Sequence, residues 1–361
     1  MMLSSLSFTL SVLIGSLVAQ TWACSRVTYN SGPNDNNRMI VGRSMDWFMT
    51  TNASIWAFPP GMQRNGNVGT NSLNWTSKYG SVVTAMYYQA TVDGMNSQGL
   101  TGNFLYLSDS NYGQRDESIP GLSVGAWLQY FLDNYATVDE AVKDLYTASG
   151  RGKFQIVSTE VIPGTPSVGH VSLADASGDN LIMEYLDGVL TIHHGKQYTV
   201  MTNQPPYDQQ LAINAYWLPI GNQSLPGTRR PADRFARLSY YNNVTVEVND
   251  PEQAVAVAAS MIRAVSVPFS PSLPGQPNVA STLWRTYSDT QALRYYYESS
   301  TLPMFFWVDL PSMNLSNNNT PVKVLQLLDV NPETRVGNMG SSFVNSAPFT
   351  FLTSAGGNST T

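Results

Sequence analysis

The chain has 361 residues, carries 19 Lys and Arg against 25 Asp and Glu for a net charge of −6 at pH 7, and is only 12% charged. With no basic run in it, that balance argues against nucleic acid as a partner. Cys24 is the only cysteine, so no internal disulfide is available and a packed core must hold the fold, which this length allows.

The first 23 residues read as a removable secretory leader. An apolar stretch at 8–19 is followed by polar Gln20 and Thr21, with small Ala23 before Cys24. The stretch is shorter than the roughly 20 apolar residues that cross a bilayer, so removal is expected rather than anchoring, and with it export to the periplasm or the medium. A lipid-modified Cys24 is disfavoured because Thr21-Trp22-Ala23 lacks the small residues such processing prefers. The weakly charged composition, rich in Asn, Ser, Thr, Tyr and Gly, agrees with export. Asn52, Asn74, Asn222, Asn243, Asn314, Asn318 and Asn358 stand in glycosylation sequons, which carry glycans only in a eukaryotic secretory pathway.

Strand-like runs follow at 25–29, 39–46, 82–88 and 99–107. A helix is expected over 123–134 with Ser123 as its cap, and the capping box Thr137/Glu140 opens another. Strands are expected at 154–161, 168–174, 180–185 and 189–193, with Asp187-Gly188 as a hairpin turn between the last two. Helix returns over 231–241. Asp250-Pro251 then opens the clearest helix, in which Ala254, Val255, Ala258, Met261, Ile262 and Val265 share one apolar face. Strands at 282–288, 292–297, 304–310 and 322–328 precede a loose tail at 340–361, rich in Ser, Gly and Asn. Strands in runs with helices in separate blocks predict an α+β fold with mostly antiparallel sheets, in one domain over 24–339.

Removal of residues 1–23 leaves Cys24 with a thiol and a free α-amine. An amine of pKa about 8 can take the thiol proton near neutral pH, so nucleophile and base would reside in one residue. Rival chemistries are weaker. Gly121-Leu122-Ser123-Val124-Gly125 fits the nucleophile-elbow pattern, but the polar run before it, ending in Pro120, is no buried strand. Adjacent His193 and His194 point to opposite faces of a strand and make a poor metal pair. No cofactor and no metal is expected.

Five blocks in order carry a resemblance: Cys24 with its strand, Gly42-Arg43-Ser44-Met45-Asp46-Trp47, Gly94-Met95-Asn96-Ser97-Gln98-Gly99-Leu100, Thr202-Asn203-Gln204-Pro205 and Ala232-Asp233-Arg234-Phe235-Ala236-Arg237. Together they resemble the choloylglycine hydrolase family, which includes bile salt hydrolases and penicillin V acylases. The resemblance implies a four-layer αββα N-terminal nucleophile hydrolase sandwich, a homo-oligomer (a homotetramer), and hydrolysis of linear amides through a thioester. It implies Cys24 as nucleophile, its α-amine as base, Asp46 orienting that amine and Arg43 favouring the thiolate. Asn203 and the backbone N–H of Tyr106 become oxyanion donors, and Arg234 completes the polar ring. Bland readings stand beside these: Arg43 and Asp46, three apart on a strand, should face opposite ways, Asn203 could shape a turn, and Arg234 and Arg237 could be solvated. Asn96 and Gly99 read as hairpin chemistry.

Aromatic Tyr106 and Trp47 are expected to contact the acyl group. They tilt the expected substrate toward a small-molecule N-acyl amide such as penicillin V or an N-acyl homoserine lactone, with a conjugated bile salt or an N-acyl lipid as alternatives. A secreted glycoprotein that kept the fold and lost the chemistry is the alternative of another class, although it would need none of these polar residues together.

Overall fold

The computed structural model describes residues 23–32, 38–148, 150, 152–162, 165–270, 280–328 and 331–353. The expected leader, apart from Ala23, and residues 354–361 lie outside the described residues.

Strands β1 (Ala23–Asn30) and β2 (Met39–Trp47) pair antiparallel, with Cys24 opposite Met45. Next come β3 (Ser54–Phe58), β4 (Ser81–Met86), β5 (Ala90–Asn96) and β6 (Thr101–Leu105). Helices α1 (Trp127–Asn134) and α2 (Val138–Lys143) lead to β7 (His170–Ala174), β8 (Asn180–Leu186), β9 (Val189–His194) and the short β10 (Val200–Met201). Then α3 (Tyr207–Trp217), α4 (Pro231–Val244) and α5 (Pro251–Val265) precede β11 (Ser281–Asp289), β12 (Arg294–Ser299) and β13 (Phe305–Asp309). The last strands are β14 (Lys323–Gln326), β15 (Val336–Asn338) and β16 (Val344–Asn345).

One sheet runs in the order β10-β1-β2-β11-β12-β13-β15 and the other β9-β8-β7-β6-β5-β4-β3-β14-β16. The only parallel pair within these two sheets is β13 with β15. Helices α4 and α5 cover the first sheet, while α1 and α2 cover the second. The layers are therefore helix, sheet, sheet, helix, as an α+β sandwich requires. Every residue of β2 from Met39 to Asp46 is buried, because this strand is covered on both faces. The face of α5 formed by Ala254, Val255, Ala258, Met261, Ile262 and Val265 packs into the first core, as its spacing predicts.

The structure differs from the sequence reading in several places. The helix expected from Ser123 begins at Trp127. Ser123 instead ends a short strand, Gly121–Ser123, parallel to Gln155–Val157, and its hydroxyl donates to the carbonyl of Leu352 at 2.6 Å. Helix α3 went unforeseen because its buried side is Tyr207, Gln210 and Asn214 while Leu211, Ile213 and Tyr216 face out, the reverse of the usual pattern. Strands β3 and β5 were also unforeseen. Finally, the tail expected to be loose from Gly340 is fastened as far as residue 353: Phe351 and Leu352 are buried, and Leu352 N–H donates to the Gln89 carbonyl at 2.9 Å.

Candidate active site

Cys24 is the second residue of β1, in the layer between the sheets. Its Sγ lies 3.8 Å from Met45 Sδ, 4.0 Å from the Asp46 carbonyl oxygen and 4.0 Å from Arg43 Nη2. Met45 and Arg43 alternate on β2, so both share the face that Cys24 presents. Burial pushes the Cys24 thiol above its ordinary value; the guanidinium charges of Arg43 and Arg234 pull it down and the Asp46 carboxylate pushes it up. The resting group is therefore a thiol that needs a base.

Arg43 spans the two sheets. Its Nη2 donates to the Phe104 carbonyl at 3.1 Å, Nη1 lies 3.7 Å from Asp93 Oδ2, and its guanidinium stacks 4.4 Å over the Trp284 ring. Asp93 is in turn held by Asn103 Nδ2 at 2.8 Å and by the Tyr295 hydroxyl at 2.7 Å. Part of the Arg43 charge is thus committed to Asp93, which sequence reasoning missed because an Asp on a strand beside Gly94 carries no motif of its own.

Asp46 faces the other way, as strand alternation predicts. Its Oδ1 accepts from the Thr282 hydroxyl at 2.5 Å, and Oδ2 is buried without a hydrogen-bond partner among the described residues. Burial raises its carboxyl to about 6, against the opposing charges of Arg234 and Arg43 and the bond from Thr282.

Asn203, just after β10, joins the halves of the site. Its Oδ1 accepts from the backbone N–H of Cys24 at 2.6 Å and from Arg234 Nη2 at 2.8 Å, while its Nδ2 donates to the Tyr106 carbonyl at 2.8 Å. Two donors on one side and a carbonyl on the other fix which way the amide points, and leave Nδ2 one further hydrogen. Asn203 is fully buried and does more than shape a turn. Arg234, on α4, is also fully buried; its Nη1 donates to the Cys24 carbonyl and to Ser25 Oγ, both at 2.5 Å, which anchors β1. Cys24, Arg43, Asp46, Asn203 and Arg234 are therefore brought into one connected cluster, with the Tyr106 backbone joined to it through Asn203.

A cavity opens beside Sγ. Its wall is mostly apolar, formed by Trp47, Met86, Phe104, Tyr106, Val168 and Leu352 among others, and Arg43 is the one charged residue lining it among the described residues. Trp47 and Tyr106 meet edge to face at 6.4 Å, and Trp47 Nε1 donates to the Tyr87 hydroxyl at 2.9 Å. Both aromatics thus line the cavity beside Cys24.

Residues set aside in the sequence stay aside. Asn96 Oδ1 accepts the N–H groups of Gln98 and Leu100 around Gly99, whose φ is +84°. His193 packs its ring on Tyr207, and exposed His194 pairs with Asp179 at 2.7 Å. No group of three or more His, Cys, Asp or Glu suited to a metal occurs among the described residues, and none of their helices is long and apolar enough to cross a membrane.

Residues 24–324 match the family model of linear amide C–N hydrolases, choloylglycine hydrolase family. The chain is 42% identical to penicillin V acylase of Pectobacterium atrosepticum, over 94% of each chain. It superposes with a TM-score of 0.82 on the structure of penicillin V acylase from Agrobacterium tumefaciens, at 44% identity, covering 91% of this chain and all of that one. A variant of conjugated bile acid hydrolase from Clostridium perfringens shares the fold at 20% identity, with a TM-score of 0.68 over 85% of this chain and 99% of that one. With its nucleophile candidate, polar ring and apolar cavity in this frame, the chain belongs to the choloylglycine hydrolase family and is a hydrolase of linear amide C–N bonds.

Proposed function

We propose that this enzyme is an exported acylase that uses Cys24, freed at its N-terminus, to cleave N-acyl amides whose acyl group is a flat aryl or a linear medium-length chain. The observation that carries the reading is the surroundings of Sγ. Its polar neighbours are a thioether and a carbonyl, which can accept the S–H hydrogen bond but are too weakly basic to remove the proton, and a guanidinium, which only donates, while burial pushes the thiol up. The α-amine that appears when residues 1–23 leave supplies the missing base. The family match beginning at residue 24 supports that boundary, and the unpartnered Asp46 Oδ2 suits a new ammonium group.

In the proposed reaction the Cys24 amine takes the thiol proton as Sγ attacks the amide carbon. Charge builds on the carbonyl oxygen, where the second hydrogen of Asn203 Nδ2 and the Tyr106 N–H stabilise it. The α-ammonium returns the proton to the departing amine nitrogen, the C–N bond breaks, and a thioester remains. Water, deprotonated by the same amine, then adds to the thioester and releases the acid and the thiol. Arg234 and Asn203 hold the Cys24 backbone in place throughout.

The apolar cavity supports an aryloxyacetyl or fatty acyl group, and Tyr106 beside Trp47 narrows it against a rigid steroid. The test is twofold. Intact mass should place the mature N-terminus at Cys24, and kcat/KM should rank penicillin V or a medium-chain N-acyl homoserine lactone above glycocholate. An active form that retains Ala23, or glycocholate as the best substrate, would overturn the reading.

A further inference from the structure

We infer that His170 is the positioning residue that holds both donors of the oxyanion hole, and this rests on the reading of Asn203 and Tyr106 just given. His170 opens β7 and is fully buried. Its backbone pairs with Leu105, the residue before Tyr106. Its ring Nε2 lies 2.8 Å from the carbonyl oxygen of Thr202, the residue before Asn203. One side chain thereby ties the end of β6 to the segment after β10, two pieces of chain that share no β-pairing.

The ring has no freedom to turn away. A carbonyl only accepts, so Nε2 carries a hydrogen, and Nδ1 shares another with Glu184 Oε1 at 2.8 Å. Glu184 Oε2 accepts the N–H of Tyr207, the first residue of α3, at 2.9 Å. Burial alone would push the Glu184 carboxyl up, but the bond and charge of His170, with the Tyr207 N–H, hold it below the ordinary range. From the other side Gln210 of α3 donates to the Asn203 carbonyl and, at 2.7 Å, to that of Pro205. The Tyr106 side is clamped as well. Gly169 accepts from Ser110 Oγ at 2.8 Å and from the Tyr112 hydroxyl at 3.0 Å, and a Cβ at Gly169 would meet the Leu105 carbonyl oxygen at 2.3 Å. The close approach of β7 to β6 is therefore built in.

An oxyanion hole works only if its donors already point where charge will develop, so a brace that moves neither substrate nor thiol should act on turnover alone. Two variants separate this role from a structural one. In His170→Asn the amide reaches Glu184 but not the Thr202 carbonyl, whereas in His170→Gln the longer amide reaches that carbonyl. For penicillin V, kcat should fall on the order of 10- to 100-fold in His170→Asn with KM within about threefold, and His170→Gln should recover most of the loss. Alkylation of Cys24 by iodoacetamide should keep its wild-type rate in both and also count folded sites. Combined with Asn203→Ala, His170→Asn should add less than about threefold, since the variant keeps the backbone pairing to Leu105 and loses only the ring's hold on Thr202, which acts through Asn203. Unchanged kcat per alkylatable site, equal losses in the Asn and Gln variants, or full additivity with Asn203→Ala would overturn the inference. Should Asn203→Ala alone leave kcat intact, the oxyanion reading itself falls and the brace falls with it; loss of alkylation instead points to damage at Cys24 and also counts against a brace.

Discussion

At Cys24, exchange of sulfur for oxygen changes the acid and little else. An alcohol ionises far less readily than a thiol, so Cys24→Ser should lower hydrolysis by orders of magnitude while thermal stability stays within about 1 kcal/mol. Activity assay and thermal melt together check this, and retained activity would return attention to Ser123. Asn203→Ala should lower kcat by about 10² to 10³ more than it raises KM, because its free Nδ2 hydrogen meets charge that exists only in the transition state. The Asp46 carboxyl, raised by burial to about 6, predicts a step on the acid side of the pH profile, below the one set by the α-amine, which must be unprotonated to act as base. Below that value the carboxyl takes up a proton and cannot hold an ammonium, so activity falls further as pH falls. A neighbouring α-ammonium would favour the carboxylate, so the midpoint of this lower step should lie at or below about 6. A profile with no step at or below about 6 would mean that Asp46 does not control activity.

Among the elements, the contact of α5 with β2 decides where Arg43 and Asp46 stand. A Cβ on Gly42 would meet Ile262 Cγ1 at 2.9 Å and Tyr287 Cδ1 at 3.3 Å. Gly42→Val should therefore push α5 off the strand, with a loss of about 1–3 kcal/mol in denaturant unfolding and a matching fall in activity; a neutral result would show that the helix can shift freely. This packing also shows what the sequence made legible. The apolar stripe of α5, the Asp250 cap and the alternation on β2 are local patterns, and each is found where expected. Helix α3 hid because amides occupy its buried positions, and β5 because Thr91, Asp93 and Asn96 read as polar although they lie between layers. The site was legible to the extent that it follows motifs: Cys24, Arg43, Asp46, Asn203 and Arg234 fall in one cluster. Asp93, His170 and Glu184 were not, since their partners are set by tertiary contacts at separations that no short pattern encodes.

For the whole molecule, specificity is expected to follow the cavity rather than the polar ring. Burial of each methylene yields about 0.8 kcal/mol, or about fourfold in kcat/KM, until the chain reaches the far wall. Leu352 belongs to that wall. Leu352→Ala should move the optimum of an N-acyl homoserine lactone series to longer chains, and Tyr106→Ala should narrow the gap between penicillin V and glycocholate. A kcat/KM series on each variant decides both, and an unmoved optimum would place the acyl chain elsewhere.

The same cavity takes Cys24 from one end of the described chain and Leu352, fastened by Ser123 and Gln89, from the other. A ribosome joins Cys24 to the chain long before it reaches Leu352. A nascent chain thus carries its thiol long before it can grip an acyl group, and a protease that clips the last fastened residues would leave the nucleophile in place with an open-ended pocket. Substrate selection in this enzyme is a property of the finished polypeptide.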